Sequence, residues 1–271
     1  MSLDTSRYPL GFKSTVPGST DDLVSLSLTH HSSTPAPIFV LTLLSAQTPD
    51  NRLTPQFLTA LHSALKHVEE VWDNVLSSTP HGAGLVITGT LQGKTAKFFS
   101  NGLDFESAIG DPEFFDRYLF PVYESLLTFP VPVVASIGGH AFAAGFGLAA
   151  ACDGAVMGKK GYLCMNEIDF GAQIPPGLWA PLSTRIHLPQ HKARVVLQGE
   201  RFPGAEALKA GFVDVHLPDA EPNDVLAKSV EMAASWAHKS KAGVWGMNKR
   251  VIHAQQLEVL RQPYGETIAK L

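Results

Sequence analysis

The stretch GHAFAAGFGLAAACD, residues 139–153, carries no charge until its last residue, and it follows directly on the apolar run PVPVVASIGG, residues 130–139. A buried strand passing through glycines into a small-residue helix fits both halves. Glycine inside a helix costs about 1 kcal/mol relative to alanine, so Gly145 and Gly147 need a physical reason. Two readings are open. Small residues allow tight packing of the helix on a neighbouring strand. They also let a ligand oxygen approach the N–H groups of the first helical turn, which have no partner within the helix. The spaced glycines of a dinucleotide-binding loop are not matched, because position 150 is alanine.

The same alternation runs along the chain. LVSLSLTH (23–30), PIFVLTLLS (37–45) and GLVITGT (84–90) read as strands, and KFFSNGLD (97–104) as a strand ending in an Asn-Gly turn. LTPQFLTALHSALKHVEEVW (53–72) repeats apolar residues three and four apart after a Thr54-Pro55 start, which predicts an amphipathic helix. PEFFDRYLFPVYESLLTF (112–129) is helical in pattern, with Pro121 expected to kink or divide it. GAVMGKKGYLCMNEIDFG (154–171) predicts two short strands about a Gly-Lys-Lys-Gly turn. PPGLWAPLSTRIHL, HKARVVLQGE and most of the chain beyond residue 202 read as helices and short loops. Strands separated by helices give an α/β core followed by helices.

Composition narrows the function. Hydrophobic residues make up 45% of the 271 positions and charged residues 17%, so the chain can build a large core and is not disordered. The net charge of −4 and the lack of a basic block give no support to a nucleic-acid partner. Cys152 and Cys164 are expected to be buried, reduced thiols. The opening MSLDTSRYPLGFKS lacks the basic segment and apolar run of a secretory signal, and no stretch approaches the ~18 apolar residues of a membrane span. The final Ala269, Lys270 and Leu271 are similar to the small-basic-leucine peroxisomal address.

Three segments carry chemistry. The first turn of the 139–153 helix offers backbone donors. SNGLD (Ser100, Asn101, Gly102, Leu103, Asp104) offers either an ordinary turn or a second donor; together the two would form an oxyanion hole for charge developing on a carbonyl oxygen. In MNEIDFG (165–171), Glu167 sits among Met165, Ile168 and Phe170. It reads either as a strand-end surface residue or as a buried carboxyl whose raised pKa suits a general base. Asp169, two residues on, would share its face if the segment is a strand. Metal binding by His187 and His191 is disfavoured by Pro189 between them, and no G-x-S-x-G elbow occurs. His140 and the phenylalanines 98, 99, 105, 114 and 115 can touch a substrate or simply fill core. Lys94, Lys97, Lys249 and Arg250 read either as phosphate contacts or as solvated surface.

Taken in order, NGLD, GHAFAAGFGLAAACD and NEIDFGAQIPP, followed by GERFPGAEALKAGFVDVH (199–216), resemble the crotonase, or enoyl-CoA hydratase/isomerase, superfamily. The resemblance covers about residues 23 to 215 and is strongest to its peroxisomal Δ3,Δ2-enoyl-CoA isomerases, which share an "M-x-E-x-D" setting. It implies an α/β fold with a crotonase-like ββα spiral core (1–200) and a C-terminal helical region (201–271) used for trimers, or hexamers built from them. It places the two oxyanion donors on the backbone N–H of Leu103 and Ala144, with substrate contacts along Ser100, Asn101, Gly102, Leu103 and Ala144. Of the two glutamates of the hydratases, the second matches Glu167, while the first falls on Gly147.

That departure separates reactions. Hydration holds a water between two carboxylates; moving a double bond from C3 to C2 needs one base, which takes a C2 proton and returns it at C4. The resemblance therefore implies a Δ3,Δ2-enoyl-CoA isomerase of peroxisomal β-oxidation. Its substrate is an acyl-CoA, it has no metal or redox cofactor, and an import receptor would read the terminal tripeptide. Hydration, thioester hydrolysis or dienoyl isomerisation, with Asp169 or Asp104 as a second carboxylate, are the alternatives within enzymes. A non-catalytic acyl-CoA-binding protein is the alternative outside them.

Overall fold

A computed structural model describes residues 14–15, 22–45, 47–76 and 80–264. Its strands, in chain order, are β1 (Ser14–Thr15), β2 (Asp22–Thr29), β3 (Ile38–Leu43), β4 (Gly84–Thr88), β5 (Phe98–Ser100), β6 (Val133–Ile137), β7 (His140–Phe142), β8 (Gly154–Met157), β9 (Tyr162–Cys164), β10 (Phe202–Pro203) and β11 (Val215–His216). Among the described residues they form a seven-stranded sheet, β1-β2-β3-β4-β6-β8-β11, and a four-stranded sheet, β10-β9-β7-β5. β1, β2 and β3 pair antiparallel, and from β3 to β11 the large sheet is parallel.

The helices are α1 (Pro55–Val71), α2 (Phe105–Gly110), α3 (Phe120–Thr128), α4 (Ala144–Ala150), α5 (Pro176–Leu182), α6 (Pro189–Lys192), α7 (Gly204–Lys209), α8 (Pro222–Ala237), α9 (Val244–Ile252) and α10 (Ala254–Leu260). They explain the strand composition. β4 and β6 are buried at every position, because α1 and α3 belong to the core on one face of the sheet and α8 packs on the other. Strands covered on both faces are apolar throughout rather than alternating. α1 begins as its sequence predicts: the Thr54 hydroxyl accepts the Phe57 N–H at 3.2 Å, and Pro55 occupies the first turn, where its missing N–H costs nothing.

The two sheets are linked by chain that leaves one and enters the other. β6 passes through Gly138 and Gly139 into β7, and β8 passes through residues 158–161 into β9. Gly139 is glycine because a Cβ there would land on the carbonyl of Lys97, at the entrance to β5. The 154–171 segment thus holds the two strands its sequence predicts, β8 and β9, but in different sheets. Pro121 divides its helical run as predicted: a π-helical turn, Phe115–Leu119, precedes α3, and the proline falls in the first turn of α3.

This is the crotonase-type spiral with a helical C-terminal region. The sequence division near residue 200 is not a break in the packing, since β10 completes the small sheet, β11 completes the large one, and α8 covers a sheet face. No described helix is long and apolar enough to cross a membrane. Both cysteines are free and buried, and burial pushes their thiols up, Cys152 to about 12 and Cys164 to about 11.

Candidate active site

Two loops meet where the small sheet ends. After β5, Asn101 is tied down twice to Asp50: its N–H donates to the Asp50 carbonyl at 2.9 Å and its amide Nδ2 to the carboxylate at 2.8 Å. Leu103 then forms a parallel bridge with Leu53, in which the Leu53 N–H donates to Gly102 and the Asp104 N–H to Leu53. That pattern engages the neighbours of Leu103 and turns its own N–H to the opposite side. Gly102 has φ +83°, and a Cβ on it would come within 2.6 Å of Ala143 Cβ and 3.3 Å of the Ala144 nitrogen. The SNGLD loop therefore lies directly on the entrance to α4.

Ala144 is the first residue of α4, so its N–H lies outside the helix's own ladder. Ala143 before it is bonded to the Cys164 carbonyl at 2.8 Å and holds φ +52°, ψ −128°. A non-glycine residue there stores about 1–3 kcal/mol of backbone strain, which the surrounding structure sustains. Gly145 answers one question raised by the sequence: its Cβ would sit 2.5 Å from the Ser100 carbonyl, so tight packing of α4 on β5 is real. Packing and backbone access are the same feature here, because the close approach brings the two loops together.

The third piece enters from β9. Glu167 opens a 3₁₀ turn, Glu167–Phe170, and is 6% exposed. Its Oε2 is buried without a hydrogen-bond partner. Burial pushes the carboxyl up from 4.5 to about 7, opposed only by a backbone hydrogen bond within the residue. Glu167, Leu103, Asn101 and Ala143 line one cavity of about 660 Å³, whose remaining wall is largely apolar, including Phe105, Phe115, Phe170 and Leu178. Phe105 and Phe170 meet edge to face across 5.3 Å and are half exposed. Arg52 lies on the same wall, paired with Asp50 at 3.2 Å. A buried carboxyl pushed up toward 7, on the wall of a largely apolar chamber beside the meeting point of the SNGLD loop and the entrance to α4, has the chemistry of a base next to backbone donors.

Several sequence expectations are corrected. Asn101 and Leu103 line the cavity, whereas Ser100, Gly102 and Ala144 do not; Ser100 is fully buried, its hydroxyl donating to the Asn51 carbonyl at 2.8 Å and accepting the Gly102 N–H, so it fastens the loop. Asp169 does not share a face with Glu167, because the segment is a 3₁₀ turn rather than a strand; it is exposed beside Gly199. Asp104 accepts the Ser107 hydroxyl at 2.5 Å and is also absent from the cavity wall. Of the candidate phenylalanines, 105 and 115 line the cavity, while 99 and 114 are core and 98 lies against His140 on the small sheet. Lys249 is no phosphate contact: it is 3% exposed and paired with Asp153 at 2.7 Å. Lys94, Lys97 and Arg250 are exposed away from the cavity wall. His191 lies edge-on to Phe212. Ala269, Lys270 and Leu271 fall outside the described residues.

Sequence reasoning misses Tyr123 and Tyr264. Tyr264 lines the cavity against Phe115, with its N–H held by the Asp116 carboxylate at 2.9 Å. Tyr123 is fully buried and donates to the Ala144 carbonyl at 2.9 Å. Its segment FPVYESLLT reads as an ordinary core helix, with no signal that one of its side chains serves a helix twenty residues on.

Comparison with known proteins shows the family and the fold. The family model for enoyl-CoA hydratase/isomerase matches residues 34–267. The chain is 30% identical over 216 residues to enoyl-CoA delta isomerase 2, peroxisomal, of Arabidopsis thaliana, covering 76% of this chain and 84% of that one. It is also 30% identical over 208 residues to a probable enoyl-CoA hydratase of Bacillus subtilis (strain 168), covering 74% of each. Among solved structures, an enoyl-CoA hydratase from Mycobacterium marinum superposes with a TM-score of 0.70 at 26% identity, over 90% of this chain and 98% of that one. The chain is an enzyme of the crotonase superfamily and belongs to the enoyl-CoA hydratase/isomerase family.

Proposed function

We propose that the protein shifts the double bond of a 3-enoyl-CoA to the 2-position during fatty-acid β-oxidation. The observation that carries this reading is a single buried carboxyl, Glu167, with Oε2 unpartnered on an apolar cavity wall. Ionised Glu167 removes a proton from C2 of the substrate. The electrons of that C–H bond form the thioester enolate, and the N–H groups of Leu103 and Ala144 stabilise its oxygen. The enolate then takes the same proton back at C4, which leaves the double bond between C2 and C3 and regenerates the carboxylate. An apolar wall favours return of the proton to carbon over its loss to water. Hydration would need a second carboxylate to hold water; neither Asp104 nor Asp169 reaches the cavity wall, and Asp111, which does, is only partly buried and accepts the Glu113 N–H at 2.9 Å.

Glu167→Gln keeps the shape and removes the base. Conversion of 3-enoyl-CoA, followed by the absorbance of the conjugated product, is expected to fall about 10³-fold, while binding of a saturated acyl-CoA is kept. Equal rates in the two proteins would remove the mechanism. A product heavier by one water would favour a hydratase instead.

We further read Ala269-Lys270-Leu271 as a peroxisomal address, in keeping with the peroxisomal label of the Arabidopsis relative. A fluorescent fusion is expected to enter peroxisomes and its truncation at residue 268 to stay outside; entry of the truncated form would reject this address.

A further inference from the structure

The Gly147 position is empty of side chain, but the space around it is not empty. A Cβ on Gly147 would lie 2.5 Å from the Tyr123 hydroxyl oxygen and 3.1 Å from its Cζ. The same hydroxyl donates to the Ala144 carbonyl at 2.9 Å. Tyr123 reaches α4 from α3 and is 0% exposed. An α-helical carbonyl ordinarily accepts the N–H four residues on, so the bond from Tyr123 is a second one and is not required to satisfy that backbone group. A phenylalanine would fill the same volume without burying a hydroxyl, which is costly unless bonded. Core packing alone therefore does not account for a tyrosine.

We propose that Tyr123 is a positioning residue: by gripping the Ala144 carbonyl across the gap left by Gly147, it fixes the first turn of α4 and so the direction of the Ala144 N–H. The inference rests on the reading of that N–H as a donor to the thioester oxygen. It assigns a task to the missing side chain at 147, which makes room for the phenol. Ala144 follows the strained Ala143, and a turn held in such a backbone state needs contacts that over-determine it. The Tyr123 hydroxyl is one of them. The phenol's ionisation is pushed well above its ordinary range, chiefly by burial and then by the charge of Glu167, so it stays a neutral donor and lies within the electrostatic reach of the carboxyl.

Tyr123→Phe and Gly147→Ala test this. The first removes the grip; the second pushes a methyl group against the hydroxyl. Hexanoyl-CoA labelled with ¹³C at the thioester carbonyl, a saturated and unreactive probe, reports the hydrogen bonds to its oxygen through its infrared stretch. In the wild type the stretch is expected to move to lower frequency on binding, and each variant should lose about half of that shift. On 3-enoyl-CoA, kcat should fall about 10-fold, a fraction of the loss seen when an oxyanion donor is removed altogether, with KM within twofold. In the double variant the two effects should not add, since both break one contact.

Retention of the full carbonyl shift and of kcat in Tyr123→Phe overturns the inference and leaves the isomerase reading intact. A wild type that does not isomerise 3-enoyl-CoA, combined with loss of the shift in Tyr123→Phe, overturns the isomerase reading and supports the inference. Should Tyr123→Phe not fold, Gly147→Ala carries the same readouts, and full retention of shift and kcat there overturns the inference equally.

Discussion

Two cavities of similar size treat a buried charge in opposite ways. The one around Glu167 encloses about 660 Å³; the other, about 710 Å³, lies among the end of α4, α8 and α9 with Asp153, Trp236, Trp245 and Lys249 on its wall. In the second, the buried charges have partners. Lys249 donates to Asp153 Oδ1 at 2.7 Å and to the Leu126 carbonyl at 2.6 Å, while Asp153 Oδ2 also accepts the Val133 N–H at 2.8 Å and the Trp245 indole N–H at 3.2 Å. In the first, Glu167 Oε2 has none. A buried ion pair with its hydrogen bonds satisfied holds structure together, whereas a buried carboxyl with one oxygen left unpartnered stores a protonation cost that chemistry can use. Backbone strain follows the same division. Ala143, at φ +52°, lines the first cavity, while the other two non-glycine residues of positive φ among those described, Asn51 and Ala242, are not on the wall of the second.

The contrast is tested most severely at Lys249. Lys249→Met keeps most of the apolar stem of the side chain and leaves the Asp153 carboxylate buried without its cation. Breaking a buried pair in this way costs about 3–5 kcal/mol, so urea denaturation at neutral pH should show a loss of that order. Turnover of 3-enoyl-CoA per folded molecule should stay within twofold, because the cavity around Glu167 shares no lining residue with this one. A stable variant with impaired turnover would invert the assignment and make the second cavity functional.

The two cavities also differ in how much of them the sequence reveals. Glu167 and the two loops lie in short motifs whose residue types are unusual where they stand, a carboxyl among apolar residues and glycines inside a helix, and local pattern is enough to single them out. Lys249 sits in MNKR, which reads as an exposed, charged helix face; only the fold brings it to Asp153, almost a hundred residues earlier in the chain. Tyr123 is hidden for the same reason, as a contact between α3 and α4 has no local signature. The positive φ of Ala143 is invisible because alanine gives no sign of a conformation that glycine or asparagine would advertise. The strand-end reading of MNEIDFG, one of the two left open, fails because alternation over a few residues does not distinguish a strand end from a 3₁₀ turn. The inner strands of the large sheet, β2, β3, β4, β6 and β8, are legible by contrast, since runs such as GLVIT and VVASI can be satisfied only by burial on both faces, while the two-residue edge strands β1 and β11 are too short to leave a pattern.

The smaller effect belongs to Glu167 and concerns stability rather than rate. Its carboxyl is held at about 7 in the folded chain against an ordinary 4.5. Below 4.5 the group is protonated whether the chain is folded or not, and its protonated form fits the cavity. As pH rises the unfolded chain releases the proton first, so the contribution to stability declines and is lost by the time pH passes about 7. The amide introduced by Glu167→Gln does not titrate, and that variant lacks this decline. The stability of wild type minus that of Glu167→Gln should therefore fall by about 3 kcal/mol between pH 4 and pH 8.5, taking about 1.4 kcal/mol per unit. Catalysis moves the other way: the base must be ionised, so kcat/KM should rise about 10-fold per pH unit up to about 7 and then level off. Paired denaturation curves and a pH–rate profile measure both. A stability difference that is flat with pH would mean that the carboxyl finds partners in solution and that the two cavities are not opposites. A decline that ends at the same pH as the rise in rate would show that the charge the site needs for chemistry is the one the fold least accommodates.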